Sequence, residues 1–108
     1  MQRLALVARL FPPLFSGEKT STIRWREAHI EPGPMTYVCE DDPTQSAVVQ
    51  VTRCTYMPLA EVAAFLDKAD AWPDPVMLEG MREHYPEIAL TDVVQVIEHL
   101  APETPTAE

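Results

Sequence analysis

The chain has 108 residues, 46% of them hydrophobic, and carries a formal net charge of −9, with eight Lys and Arg against seventeen Asp and Glu. That length suits one domain with a real core, expected over residues 1–101, and is too short for two. So acidic a chain is a poor partner for a long nucleic-acid duplex, because nonspecific affinity for a polyanion comes from many Lys/Arg–phosphate contacts. No apolar run approaches the roughly 18 residues of a membrane span, and Leu4–Ala8, cut off by Arg9, is too short for a secretory core. A cytoplasmic location is expected.

Leu4–Ala8 reads instead as a strand. A short helical turn follows from Phe11, where Pro12 and Pro13 suit the first turn, Leu14 and Phe15 supply apolar cover, and Gly17 ends it. Thr20–Arg26 has no Pro or Gly and mixes β-branched and aromatic residues, which is a strand pattern. Side chains alternate faces along a strand, so Thr20, Thr22, Arg24 and Arg26 share one face. Ser21, Ile23 and Trp25 share the other. The apolar pair Ile23 and Trp25 points to a core, leaving the Thr/Arg face to solvent or a cavity; the plain alternative is a solvated edge of good β-formers.

After the Pro32-Gly33-Pro34 turn, Met35–Glu40 reads as a strand, broken by Asp41-Asp42-Pro43. Ala47–Met57 is the longest β-type run, with Val49, Val51 and Arg53 alternating against Gln50, Thr52 and Cys54. Pro58 opens a helix to about Lys68 with Leu59, Val62, Ala63 and Leu66 on one face. A second helix is expected from Asp74 to near Tyr85, with Val76, Met77, Met81 and Tyr85 as its inner stripe and Pro86 as its stop. Val93–Leu100 is a final strand, and 102–108 is a polar, Pro-rich tail expected to be disordered. Short strands separated by turns, with the helices grouped late, predict a mainly β α+β fold: a small β-barrel with helices over one end.

Charge is segregated. Residues 1–26 carry five bases (Arg3, Arg9, Lys19, Arg24, Arg26) against one acid, Glu18, whereas 27–108 carry three bases against sixteen acids. A concentrated positive segment suits a polar or anionic group. Gly17–Arg26 also supplies an amine and three hydroxyls. A hydroxyl nucleophile needs a base within hydrogen-bond reach, and a Lys serves if burial or nearby cations lower its pKa. Lys19 and Thr22 stand three residues apart, with Arg24 on the same strand face as Thr22.

Arg9-Leu-Phe-x-x-Leu-Phe-Ser-Gly17-x-Lys19-Thr-x-Thr22-Ile-Arg24, followed downstream by His84-Tyr85-Pro86 and the apolar strand Val93–Ile97, resembles the ASCH (activating signal cointegrator homology) domain, a PUA-like fold. The resemblance spans about residues 4–100. It is not a phosphate-binding P-loop, since the upstream Gly is missing and Glu18 occupies the second Gly position. Small bacterial members of the group hydrolyse the amide of N(4)-acetylcytidine with a Lys, a Thr and a carboxylate. The first two match Lys19 and Thr22. Counting back from Tyr85 brings the carboxylate to Asp70, an Asp where the family has Glu, with Asp67, Asp74 and Glu79 as competitors. The resemblance also places Tyr85 over the cavity.

Two readings of different class follow: an amidohydrolase acting on a modified nucleoside, and a binding module for RNA or a nucleotide-like ligand without chemistry. In both, Thr20, Arg24, Arg26 and Tyr85 are the binding candidates, and a nucleoside or short single strand is the expected partner. Trp25, Trp72 and Tyr37 are available for stacking, ordinary core packing being the alternative for each. No cofactor is implied. His29, His84 and His99 lack metal-ligand spacing, and Cys39 and Cys54, fifteen apart without a second pair, are expected to be two thiols rather than zinc ligands or a disulfide.

Overall fold

Strands form in this chain where apolar side chains recur at every second position, so that one face can be buried while the backbone is hydrogen-bonded in a sheet. The computed structural model describes residues 2–102 and contains β1 (Gln2–Leu6), a 3-10 turn (Ala8–Leu10), α1 (Phe11–Ser16), β2 (Ser21–Arg24), β3 (Gly33–Cys39), β4 (Ser46–Pro58), α2 (Leu59–Phe65), α3 (Asp74–Arg82) and β5 (Val93–His99). The strands make a five-stranded sheet in the order β1-β3-β4-β5-β2. The fold is therefore α+β and dominated by strands, as the turn-separated β-runs predict. Of the tail at 102–108, only Pro102, which is buried, lies within the described residues.

The packing divides into two units, each assembled from separated stretches of chain. The first takes residues up to Thr22, His29–Cys54 and those from Ile97 onward; the second takes Ile23–Ala28 and Thr55–Val96.

In the first unit, β1 runs parallel to β3 with Leu4 opposite Tyr37 and Leu6 opposite Cys39, and β3 runs antiparallel to β4 with Met35 opposite Val49 and Tyr37 opposite Ala47. Register therefore stacks the buried residues of three strands on one face. Phe11 and Leu14 of α1 join that core with Ile30, Val51 and Ile97. The inward alternation of β4 holds through Val51 and then shifts, leaving Arg53 exposed and Cys54 half-buried against the core. Both cysteines are free thiols. Burial, with a smaller contribution from Glu31, pushes the Cys54 thiol up. Between β3 and β4, Asp42 Oδ1 accepts hydrogen bonds from Thr44 N and Oγ1, the side-chain-built turn expected of an Asp-Asp-Pro break.

Gly17 ends α1 as the sequence predicts, with φ 87°, a left-handed conformation that costs a side-chain-bearing residue about 1–2 kcal/mol. A Cβ there would meet only Ala101 Cβ at 3.8 Å, an ordinary contact. Gly17→Ala should thus destabilise by about that conformational cost, read as a lower urea midpoint at unchanged slope; a neutral substitution would show that the backbone relaxes out of the left-handed region.

In the second unit, Leu59, Val62 and Ala63 of α2, Met77 and Met81 of α3, and Ile88, Val94 and Val96 form the core. Leu59 N and Ala60 N donate to the carbonyls of Asp92 and Leu90. α2 stops at Phe65, short of the expected Lys68, for a reason the absence of Gly conceals. Asp67 adopts φ 59°, and Asp67 N and Lys68 N donate back to the carbonyls of Ala64 and Ala63, a Schellman closure with Asp in the Gly position. α3 likewise ends at Arg82, before Tyr85. Its inner stripe is Met77 and Met81, four apart; Val76, one position round the helix, is 52% exposed and does not belong to it.

Candidate functional site

The segment that carries the candidate residues begins at the left-handed Gly17 and enters β2 at Ser21. Lys19 is half-buried and its Nζ donates to the carbonyl oxygen of Ser21 at 2.7 Å, so the amine is folded forward along the strand entry. Thr20 is exposed, and its carbonyl accepts from the backbone N–H of His99 at 2.9 Å. Thr22 is buried, 6% exposed. These three belong to the first unit.

Arg24, Arg26, Asp70 and Tyr85 belong to the second. Arg24 is largely covered, its side chain 12% exposed, and its Nη1 lies 3.5 Å from Glu27 Oε1. Glu27 Oε2 accepts a hydrogen bond from the Tyr85 hydroxyl. The Tyr85 ring stands edge-on to Trp25, centroids 5.9 Å apart at 88°. Asp70 is exposed in the turn region between α2 and α3, and the competing acids Asp67, Asp74 and Glu79 are exposed as well.

The simple face alternation expected for Thr20–Arg26 needs correction. The strand ends at Arg24, and Arg26 takes φ 58°, so Arg26 leaves the face it was expected to share with Arg24; its guanidinium lies 4.2 Å from the centroid of the Trp25 ring instead. Ile23 is only half-buried. It packs against the second core and also lines an apolar cleft of ≈ 240 Å³ with Trp72, Val76, Met77, Gly80 and Met81. The residue expected to face a cavity, Thr22, is more deeply buried than Ile23.

Two features went unseen in the sequence. The first is Glu27, which joins Arg24 to Tyr85; its only sequence signal is the i,i+3 spacing from Arg24. The second is His99. It is buried, its Nδ1–H donates to the carbonyl of Leu100 at 2.9 Å, and its Nε2 lies 2.8 Å from the hydroxyl of Tyr37. A carbonyl can only accept, so Nδ1 carries the proton; in the neutral ring Nε2 then accepts from Tyr37. Burial lowers the His99 pKa, the Leu100 contact opposes that, and the nearby Lys19 charge adds to the lowering. Tyr37 is fully buried in this pair and is not available to stack on a base. Among the described residues, no group of three His, Cys, Asp or Glu side chains is placed to hold a metal ion, and no helix is long and apolar enough to cross a membrane.

The Tyr85 phenol is pushed up to about 12, by burial first and then by the hydrogen bond and negative charge of Glu27, with Arg24 opposing. Because the folded value lies above the ordinary 10, the stabilisation is present below pH 10 and is lost as pH rises through about 12. The phenolate absorbance difference between wild type and Tyr85→Phe reports this one ring, and Glu27→Gln should bring its ionisation earlier; a difference signal unchanged by Glu27→Gln would contradict the contact. No known protein family, curated protein or solved structure matches this chain.

Proposed function

We propose that this chain is a nucleoside-binding domain of the ASCH type, its sheet the counterpart of a PUA-like barrel, and that it hydrolyses the acetyl amide of N(4)-acetylcytidine. The observation that carries the reading is local: one short stretch leaving the left-handed Gly17 supplies both an amine tied to the Ser21 carbonyl and, one residue beyond that carbonyl, the Thr22 hydroxyl. Both groups come from four consecutive residues, Lys19 to Thr22, and a nucleophile needs its base within hydrogen-bond reach.

In this reaction the Thr22 Oγ attacks the acetyl carbonyl while the Lys19 amine takes its proton. The tetrahedral intermediate expels the cytidine exocyclic amine, which receives that proton, and water then hydrolyses the acyl-threonine to acetate. Asp70 is the acid the resemblance assigns to orienting the amine or the substrate nitrogen. Thr20, Arg24, Arg26 and Tyr85 are the binding candidates that the sequence names. A second reading, an RNA- or nucleotide-binding module without turnover, draws on the burial of Thr22, since a residue only 6% exposed offers little access for attack on a substrate. Purified protein incubated at high concentration with N(4)-acetylcytidine separates the two: acetate and cytidine in equal amounts support the hydrolase, and saturable binding with no acetate supports the module.

A further inference from the structure

α3 begins directly after a turn that sets Trp72 at its head. Trp72 N donates to the carbonyl of Lys68 at 2.8 Å, and Val76 N and Met77 N both donate to the carbonyl of Pro73, so backbone contacts fix where the indole stands. Between Trp72, Ile23 and one side of α3 lies the apolar cleft of ≈ 240 Å³, completed by Val76, Met77, Gly80 and Met81. All six residues belong to the second unit. Gly80 is the informative member, because a glycine inside a helix costs stability relative to alanine. Neither conformation nor packing asks for one here: the backbone at Gly80 is helical, and a Cβ would meet nothing within 4 Å. The missing side chain leaves the cleft open beside Met77 and Met81.

We propose that this cleft binds a small arylalkylamine, with the ring over Gly80 against Trp72 and the two methionines and the ammonium at the acidic rim of α3. The assignment does not rest on the nucleoside reading. A volume of ≈ 240 Å³ falls below the roughly 300–1,000 Å³ of pockets that enclose drug-sized molecules, and suits one ring with a short chain. An indole and two thioethers favour an aromatic ring as the apolar body, through ring–ring and sulfur–ring contacts. No lining side chain carries a charge. The charge lies at the rim: Val76, Glu79, Gly80 and Glu83 follow one another at i, i+3, i+4 and i+7, so two exposed glutamates share the helix row that holds the open position. From Asp67 to Glu83 the chain has five acids against Lys68 and Arg82, and Arg82 Nε donates to the Ile88 carbonyl. Such a rim attracts an ammonium and repels a carboxylate.

Titration of the full chain, labelled at its methionine methyls, with 2-phenylethylamine tests this, with 3-phenylpropanoate as the anionic counterpart. The Met77 and Met81 methyl resonances should shift saturably, while that of Met35, buried in the first core, stays. The amine should bind tighter than the propanoate by about fivefold at low salt, and Glu79→Gln should narrow that gap. Gly80→Leu puts a side chain into the cleft and should weaken the amine by about tenfold or more. Gly80→Ala should weaken it less and raise the thermal midpoint, since its Cβ meets open space. A folded Gly80→Leu variant that binds like wild type overturns the proposal, and should that variant not fold, unchanged affinity in Gly80→Ala does so. A propanoate bound as tightly as the amine overturns the ligand class. Methyl shifts produced by a lysine-flanked phenylalanine peptide and not by the free amine make the cleft a protein-docking surface and overturn the small-ligand assignment.

Discussion

Lys19→Ala should slow acetate release from N(4)-acetylcytidine by about a thousandfold or more, and Thr22→Ala should do the same, because removing either member of a nucleophile–base unit forfeits nearly the whole contribution of the unit. Neither change should unfold the protein. Lys19 is half-buried and its amine donates to Ser21 O, a contact outside the core, while Thr22→Ala removes a hydroxyl and a methyl from a buried site, a loss on the order of 1 kcal/mol. Thr22→Ser retains the nucleophile and should retain most of the rate. Thermal midpoints measured beside the rates separate loss of chemistry from loss of fold. A Lys19→Ala variant as fast as wild type would remove the catalytic assignment and leave the binding module.

The second large effect is expected at His99. Truncation to Ala opens a cavity beside Tyr37 and takes away the His99 partner of its buried hydroxyl, and the two losses together amount to about 3 kcal/mol. Much of the second loss should vanish when Tyr37→Phe is combined with it, so the double variant should cost less than the sum of the singles. The same pair gives a pH dependence. The His99 pKa is lowered on folding from its ordinary 6.5, so the unfolded chain binds the extra proton first, and the stability His99 contributes is present above pH 6.5 and lost as pH falls through its lower folded value. Denaturant midpoints should fall on acidification in wild type, and less so in a His99→Gln variant. Equal slopes in the two would mean that the acid sensitivity lies with the carboxylates.

The order of strands and helices was legible from alternation, Pro and Gly alone, because β3 and β4 bury one face and expose the other. Helix ends were less so. α2 closes on Asp67 in a left-handed conformation, and nothing in the sequence separates that Asp from an ordinary surface one. The candidate segment was visible as a chemical concentration from Gly17 to Arg26, but its side-chain directions were not. Alternation presumes a strand that continues, whereas β2 stops at Arg24, after which the turn at Arg26 sends its side chain over Trp25. By sequence Tyr37 is a stacking candidate and His99 a histidine without metal-ligand spacing; their pairing joins residues 62 positions apart, beyond any local pattern. Glu27 was hidden for the same reason, since its partner Tyr85 lies 58 residues downstream.

The interleaving of the two units bears on synthesis. The first core contains Leu4 and Leu6 but also Ile97, and its buried polar pair requires His99. During translation, then, the segment bearing Lys19 and Thr22 emerges early and waits: its carbonyl at Thr20 has no His99 amide until the ribosome has delivered residue 99. Nearly the whole described chain must be in solution before the first core can close, which lengthens the interval in which strands with an apolar face are exposed to neighbouring nascent chains. The strong negative charge carried by residues 27–108 keeps those chains apart during that interval, a role for acidity that is independent of any ligand.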